Sequence, residues 1–102
     1  MSYKIVYRTI AIKEREEIIA WYEKQSRQAT ENFILASIEI VNKIGLTPFR
    51  YRNVINDYRE IKMKKFPYYI IFRVDESKQQ IVILRIYHAS RNPKTKYRNI
   101  GG

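Results

Sequence analysis

Six residues in the second half of the chain share one parity within three strand-like runs: Lys62 and Lys64, Tyr69 and Arg73, Arg85 and Tyr87. Ammonium and guanidinium groups bind phosphate oxygens, and flat aromatic rings stack on unpaired bases. Period-two spacing puts such residues on one side of a strand. The set therefore reads either as an RNA-binding sheet face or as an ordinary solvated face whose Lys and Arg stems cover Ile71 and Ile83. His88 ends the last run and is the only histidine in the chain.

The charge balance favours an acidic partner. Twenty Lys and Arg against ten Asp and Glu give a net charge of +10. Residues 1–50 carry a net +2 and residues 51–102 a net +8, so the field is concentrated beside the basic runs. Phosphate backbones and acidic proteins both suit it. Other chemistries fall away. With no cysteine there is no disulfide, thiolate metal site or Cys nucleophile, and one histidine cannot form a His-pair zinc site. No glycine-rich phosphate loop and no two-metal carboxylate cluster is recognisable. We expect neither metal nor cofactor. The chain has no apolar run of about 20 residues and no apolar leader, so a cytoplasmic protein without a membrane partner is expected.

The elements that must position these residues follow from periodicity. In 102 residues, 45% of them hydrophobic, one domain over residues 1–102 is expected. Tyr3–Arg8 reads as a short strand. Ile10–Gln25 lacks Gly and Pro and repeats apolar residues at helical spacing, with Thr9 as N-cap and Ser26 as terminator. Trp21 reads as a helix–helix packing anchor, and Arg59 as an ion-pair partner of an acidic helix residue. Gln28–Ile44 reads as a second helix whose broad apolar sector, including Leu35 and Ile38, implies burial against more than one element. Gly45 suits its stop. Tyr58–Lys65, Tyr68–Asp75 and Gln80–His88 read as strands, separated by Phe66-Pro67 and Glu76–Gln79. The short break at Ser26 makes the helices a hairpin. The order is β–α–α–β–β–β, an α+β fold with the hairpin on one face of a mainly antiparallel sheet.

Alternation then sorts the faces. Ile61, Met63, Ile70, Phe72, Val74, Val82, Leu84 and Ile86 should meet the helices. Glu60, Lys62, Lys64, Tyr69, Ile71, Arg73, Ile83, Arg85 and Tyr87 should point away. A basic tail is expected from about Arg91, with Arg91, Lys94, Lys96 and Arg98 as a contact arm.

The runs Tyr58–Met63, Phe66–Val74 and Ile83–His88, followed by Ser90-Arg91-Asn92-Pro93 and preceded by a helical hairpin carrying Trp21-Tyr22, resemble the RelE/ParE superfamily of bacterial type II toxin–antitoxin toxins. The resemblance spans nearly the whole chain and implies the same fold. It implies a growth-inhibiting toxin neutralised by a cognate, acidic antitoxin. It leaves two targets open, ribosome-bound mRNA for RelE-like nucleases and DNA gyrase for ParE-like inhibitors, with a nontoxic degenerate member kept as a binding module as a third reading.

For the nuclease branch the resemblance matches Lys62 and His88; with Tyr87 they are the candidate catalytic residues, and Lys64, Arg73, Arg85 and Arg91 the candidate phosphate or RNA binders. Metal-free cleavage must activate a 2′-hydroxyl, protonate the leaving oxygen and stabilise charge on phosphate. His88 stands where YoeB-like nucleases carry a strand-end histidine. Three positions depart from the nuclease pattern. Tyr69 replaces an arginine, Glu60 replaces a lysine, and Ala89 replaces the tyrosine after the YoeB-like histidine.

Overall fold

The computed structural model describes residues 3–91 and 97. Its element order is β1 (Lys4–Tyr7), α1 (Thr9–Gln25), α2 (Arg27–Leu46), a short helical turn at Pro48–Arg50, β2 (Arg52–Ile55), β3 (Tyr58–Lys62), β4 (Tyr68–Asp75) and β5 (Gln80–His88). The strands form one five-stranded sheet in the order β1-β5-β4-β3-β2. β1 runs parallel to β5, and the other neighbours are antiparallel. The expected α+β architecture is present, with one additional strand.

Ser26 both ends α1 and starts α2. Its backbone N–H donates to the Tyr22 carbonyl, and its hydroxyl accepts from the Ala29 N–H at 3.2 Å. Such a cap contributes about 1 kcal/mol and fixes the hairpin break. Arg8, not Thr9, stands at the α1 cap position, without a side-chain cap bond. α2 continues past Gly45 to Leu46. Gly45 serves close approach instead of termination. Its carbonyl accepts the Tyr3 N–H at 3.0 Å, and an added Cβ would lie 3.3 Å from the Ile5 side chain.

Helical spacing buries Thr30, Phe33, Ser37, Val41 and Ile44 on one stripe of α2. Phe33 meets Tyr22 at 5.5 Å, Phe66 at 5.4 Å and Tyr68 at 5.7 Å between ring centroids. With Ile70, Phe72, Ile81, Ile83 and Ile86 they form the main core between helices and sheet. The broad sector is not fully covered. Leu35 and Ile38 remain exposed, and so does Trp21, which sets its edge against Tyr22 in place of anchoring the helix pair.

The face assignment of β5 needs one correction. Ile83 joins the helix-side core, whereas Val82 and Leu84 lie with Ile71 and Tyr87 in a second cluster on the outer face. The cause is a bulge. Ile71 pairs with Arg85 and Phe72 with Ile83, leaving Leu84 as the extra residue. A bulge inverts the alternation beyond it, so one parity cannot hold along the whole strand. Ile86 and Tyr87, beyond the bulge, take the faces expected of them.

The unexpected strand β2 pairs with β3 through a turn in which Asn56 adopts a positive φ of 52°. Asn53 Nδ2 ties the hairpin by donating to the carbonyls of Asn56 and Tyr58. Asn tolerates the left-handed region better than most residues, which suits it to this turn.

Candidate functional site

Strand register gathers the outer face into three rows. Lys62 pairs with Tyr69 and Tyr69 with Tyr87. Glu60 pairs with Ile71 and Ile71 with Arg85. Tyr58 pairs with Arg73 and Arg73 with Val82. Lys62 is exposed, Arg73 is half-buried, and Tyr87 is only 1% exposed. The guanidinium carbons of Arg85 and Arg91 lie 5.0 and 5.3 Å from the Tyr87 ring centroid, within cation–π range. Lys62 and Tyr87 sit two strands apart, roughly 10 Å at ordinary strand spacing.

The middle of this face is largely apolar. Ile71, Val82, Leu84 and Tyr87 pack together, with Tyr58 and Tyr97 laid against them. Tyr97 stacks on Tyr58 at 6.1 Å and 10°, and its hydroxyl donates to Glu60 at 2.5 Å. Burial, then the Glu60 carboxylate, raise the Tyr97 phenol well above its ordinary pKa. Glu60 therefore holds a tyrosine at the position where a nuclease would favour a cation.

Arg85 is drawn away from solvent. Its Nη2 donates to Glu14 Oε2 at 2.8 Å, and its Nε lies 3.1 Å from both carboxylate oxygens. Glu14 Oε1 also accepts the Ile86 N–H at 3.0 Å. β1 pairs with β5 only up to Ile83, so α1 supplies the acceptor for the strand edge beyond it. The ion pair is nearly buried, with 8% and 13% side-chain exposure.

His88 lies on the other side of the sheet. It pairs with the core residue Tyr68, and the two rings meet edge to face at 5.2 Å. The Ser90 N–H donates to His88 Nδ1 at 3.0 Å, which places the proton of the neutral ring on Nε2. Tyr68 itself is raised to about 12 by burial and by its neighbour Tyr22. Lys64 is also off the outer face. It follows β3 and lines a groove beside α2. Arg59 donates from Nη1 to the Tyr51 carbonyl at 2.7 Å and covers the Phe49 ring; among the described residues it forms no ion pair with a helix carboxylate. Lys94, Lys96 and Arg98 fall outside the described residues.

Thus Lys62, Tyr69, Arg73 and Tyr87 share one face with Arg91 at its margin, while His88 and Lys64 do not. Glu14 and Tyr97 escaped the sequence reading. Glu14 sits among several acidic residues of one helix, and Tyr97 is a lone aromatic in a basic stretch. Neither spacing signals its partner.

Residues 5–93 match the family model for the ParE toxin of the type II toxin–antitoxin system parDE. The chain belongs to the ParE toxin family. Among curated proteins, none matches it by sequence. Its fold is similar to the solved chromosomal ParDE system of P. aeruginosa, with a TM-score of 0.73 at 16% identity over 87% of this chain and 98% of that one. It is also similar to the isolated E. coli RelE toxin, with a TM-score of 0.57 at 16% identity over 93% of both chains. The RelBE2 toxin–antitoxin complex of Mycobacterium tuberculosis matches with a TM-score of 0.57 at 15% identity, over 86% of this chain and 99% of that one. The toxin family thus carries the α+β fold expected from the strand and helix order. Among the described residues, no helix is long and apolar enough to cross a membrane.

Proposed function

We propose that this toxin arrests growth by binding a protein target through its outer sheet face, that the target is DNA gyrase, and that it does not cleave RNA. The separation of His88 from Lys62 and Tyr87 across the sheet carries this reading. Cleavage needs proton-transfer groups and a phosphate clamp converging on one bond. Here the histidine faces the helix side and Arg85 is held by Glu14. Ile71, Val82, Leu84 and Tyr87 lie buried beneath Tyr58 and Tyr97, so the face presents aromatic rings and cations, groups enriched at protein interfaces. The cognate antitoxin is acidic on this reading, complementing the +10 charge. Toxin, target and antitoxin meet in the cytoplasm.

Two assays separate the targets. Purified toxin should inhibit gyrase supercoiling and leave a translated, ribosome-bound message intact by primer extension. Codon-positioned cuts that vanish in a Lys62→Ala/His88→Ala variant, with normal supercoiling at saturating toxin, would replace this reading with a RelE-like nuclease.

A further inference from the structure

On the outer sheet face, an aromatic site is filled by a side chain from outside the sheet. Tyr58 and Glu60 stand on the same side of β3. The Tyr97 ring lies against that of Tyr58, with centroids 6.1 Å apart and planes within 10° of parallel. Its hydroxyl donates to Glu60 Oε1 at 2.5 Å, and both rings pack on the buried cluster that contains Ile71 and Leu84. Arg52, the cross-strand neighbour of Glu60, and Tyr69 border the phenol. A flat wall, an apolar floor and an anionic acceptor together make a receptor for an aromatic ring that carries a hydrogen-bond donor. Wall, floor and acceptor come from β3, β4 and β5, whereas Tyr97 lies beyond β5 and belongs to no strand. The strands therefore define the site without it.

We infer that this site receives a tyrosine side chain of a partner protein in exchange for Tyr97. The inference rests on the reading of the outer face as a protein interface and names one contact within it. Tyr97 shows the chemistry accepted, a phenol whose O–H meets a carboxylate while its ring meets a ring. A phenylalanine would not supply that donor. A guanine base has N–H donors on a flat ring as well, yet it brings phosphate toward the anionic Glu60. Because Tyr97 is on the same chain, it competes at an effective concentration that dilution does not lower. A site self-occupied about 90% of the time offers an incoming tyrosine an affinity reduced about tenfold. Tyr97 thus sets a threshold. A partner displaces it by adding contacts elsewhere on the face, where exposed Lys62 and half-buried Arg73 stand.

The test uses the full toxin and amide NMR titrations with N-acetyltyrosinamide, N-acetylphenylalaninamide and guanosine monophosphate. Ligands of this size bind in roughly the millimolar range, within reach of such titrations. The proteins are wild type, Tyr97→Ala and Tyr97→Ala/Tyr58→Ala, with thermal melts to establish that each folds. N-acetyltyrosinamide should give saturable shifts of the Tyr58 and Glu60 amides in Tyr97→Ala and bind wild type about tenfold more weakly. The phenylalanine analogue should bind Tyr97→Ala about fivefold more weakly than the tyrosine analogue. The double variant should lose binding. If Tyr97→Ala melts early, Tyr97→Phe keeps the ring without the donor and should still bind the tyrosine analogue more tightly than wild type does. No saturable binding by a folded Tyr97→Ala, or equal binding by wild type, would overturn the inference. Tighter binding of guanosine monophosphate than of N-acetyltyrosinamide would also overturn it and give the site to RNA. Supercoiling assays with wild type report on the target separately. No inhibition sinks the gyrase reading while the probes still decide the subsite, whereas inhibition without probe binding sinks the subsite alone.

Discussion

The two faces of the sheet are built from similar residues and solve different problems. Against the helices, Phe33, Ile44, Phe72, Ile81 and Ile83 are all fully buried. On the outer face a smaller cluster of Ile71, Val82, Leu84 and Tyr87 is also buried, yet no helix of the hairpin covers it. Tyr58, Tyr97, Arg85 and Arg91 shield it with rings and guanidinium planes. A helix layer is a permanent cover. Side chains along a strand are a thinner one, and they leave aromatic and cationic groups at the surface for a partner. On the proposed reading, the difference puts stability on one face and recognition on the other.

The contrast predicts a graded series of losses. Phe33→Ala removes the ring shared by Tyr22, Phe66 and Tyr68 and should cost about 3–5 kcal/mol in urea denaturation. A loss below that of an outer-face truncation such as Leu84→Ala would break the division between the faces. Glu14→Ala removes the carboxylate that pairs with the buried Arg85 guanidinium and accepts the Ile86 N–H, and should cost about 3 kcal/mol. A joint Glu14→Leu/Arg85→Met replacement should recover the share due to the ion pair, but not that of the Ile86 N–H, which leucine cannot accept.

Tyr97→Phe removes the hydroxyl bond to Glu60 while keeping the ring, and should cost about 1 kcal/mol. The same bond makes a pH prediction. Tyr97 and Tyr68 both have raised pKa values, so the folded state keeps their protons where the unfolded chain has begun to lose them. Their contribution is fully present below 10.0, the ordinary tyrosine value, and falls as pH rises toward about 12, where Tyr68 titrates. Ultraviolet phenolate titration of Tyr97→Phe should lack one late-ionising tyrosine. The smallest effect belongs to Lys62→Ala. Lys62 is exposed, so stability should change by less than about 0.5 kcal/mol. Gyrase inhibition should nonetheless weaken if the rim of the outer face contacts the target.

Sequence periodicity made most of the scaffold legible. Both helices, the Ser26 break and the strands from Tyr58 onward occur as expected because their apolar spacing is set by local geometry. The strand Arg52–Ile55 was not legible, being four residues long and mostly exposed, and it is a strand because β3 lies beside it. The bulge at Leu84 depends on pairing between two strands and leaves no mark in the apolar pattern of one. For the site, Lys62, Tyr69, Arg73 and Tyr87 were placed on a common face by alternation alone. The Arg85 pairing was hidden because its carboxylate lies 71 positions earlier in the chain.

The place of β1 in the sheet has a consequence for the order of assembly. Lys4–Tyr7 pairs with Gln80–Ile83, so the first strand made must wait for the last before it has a sheet to join. The antiparallel hairpins from β2 to β5 can close locally as they are synthesised. The N-terminal strand cannot, and its closure carries the loop entropy of the whole segment between Tyr7 and Gln80. During translation β1 therefore has no partner strand until Gln80–Ile83 has emerged. Joining of the first strand to the sheet follows the hairpins it flanks.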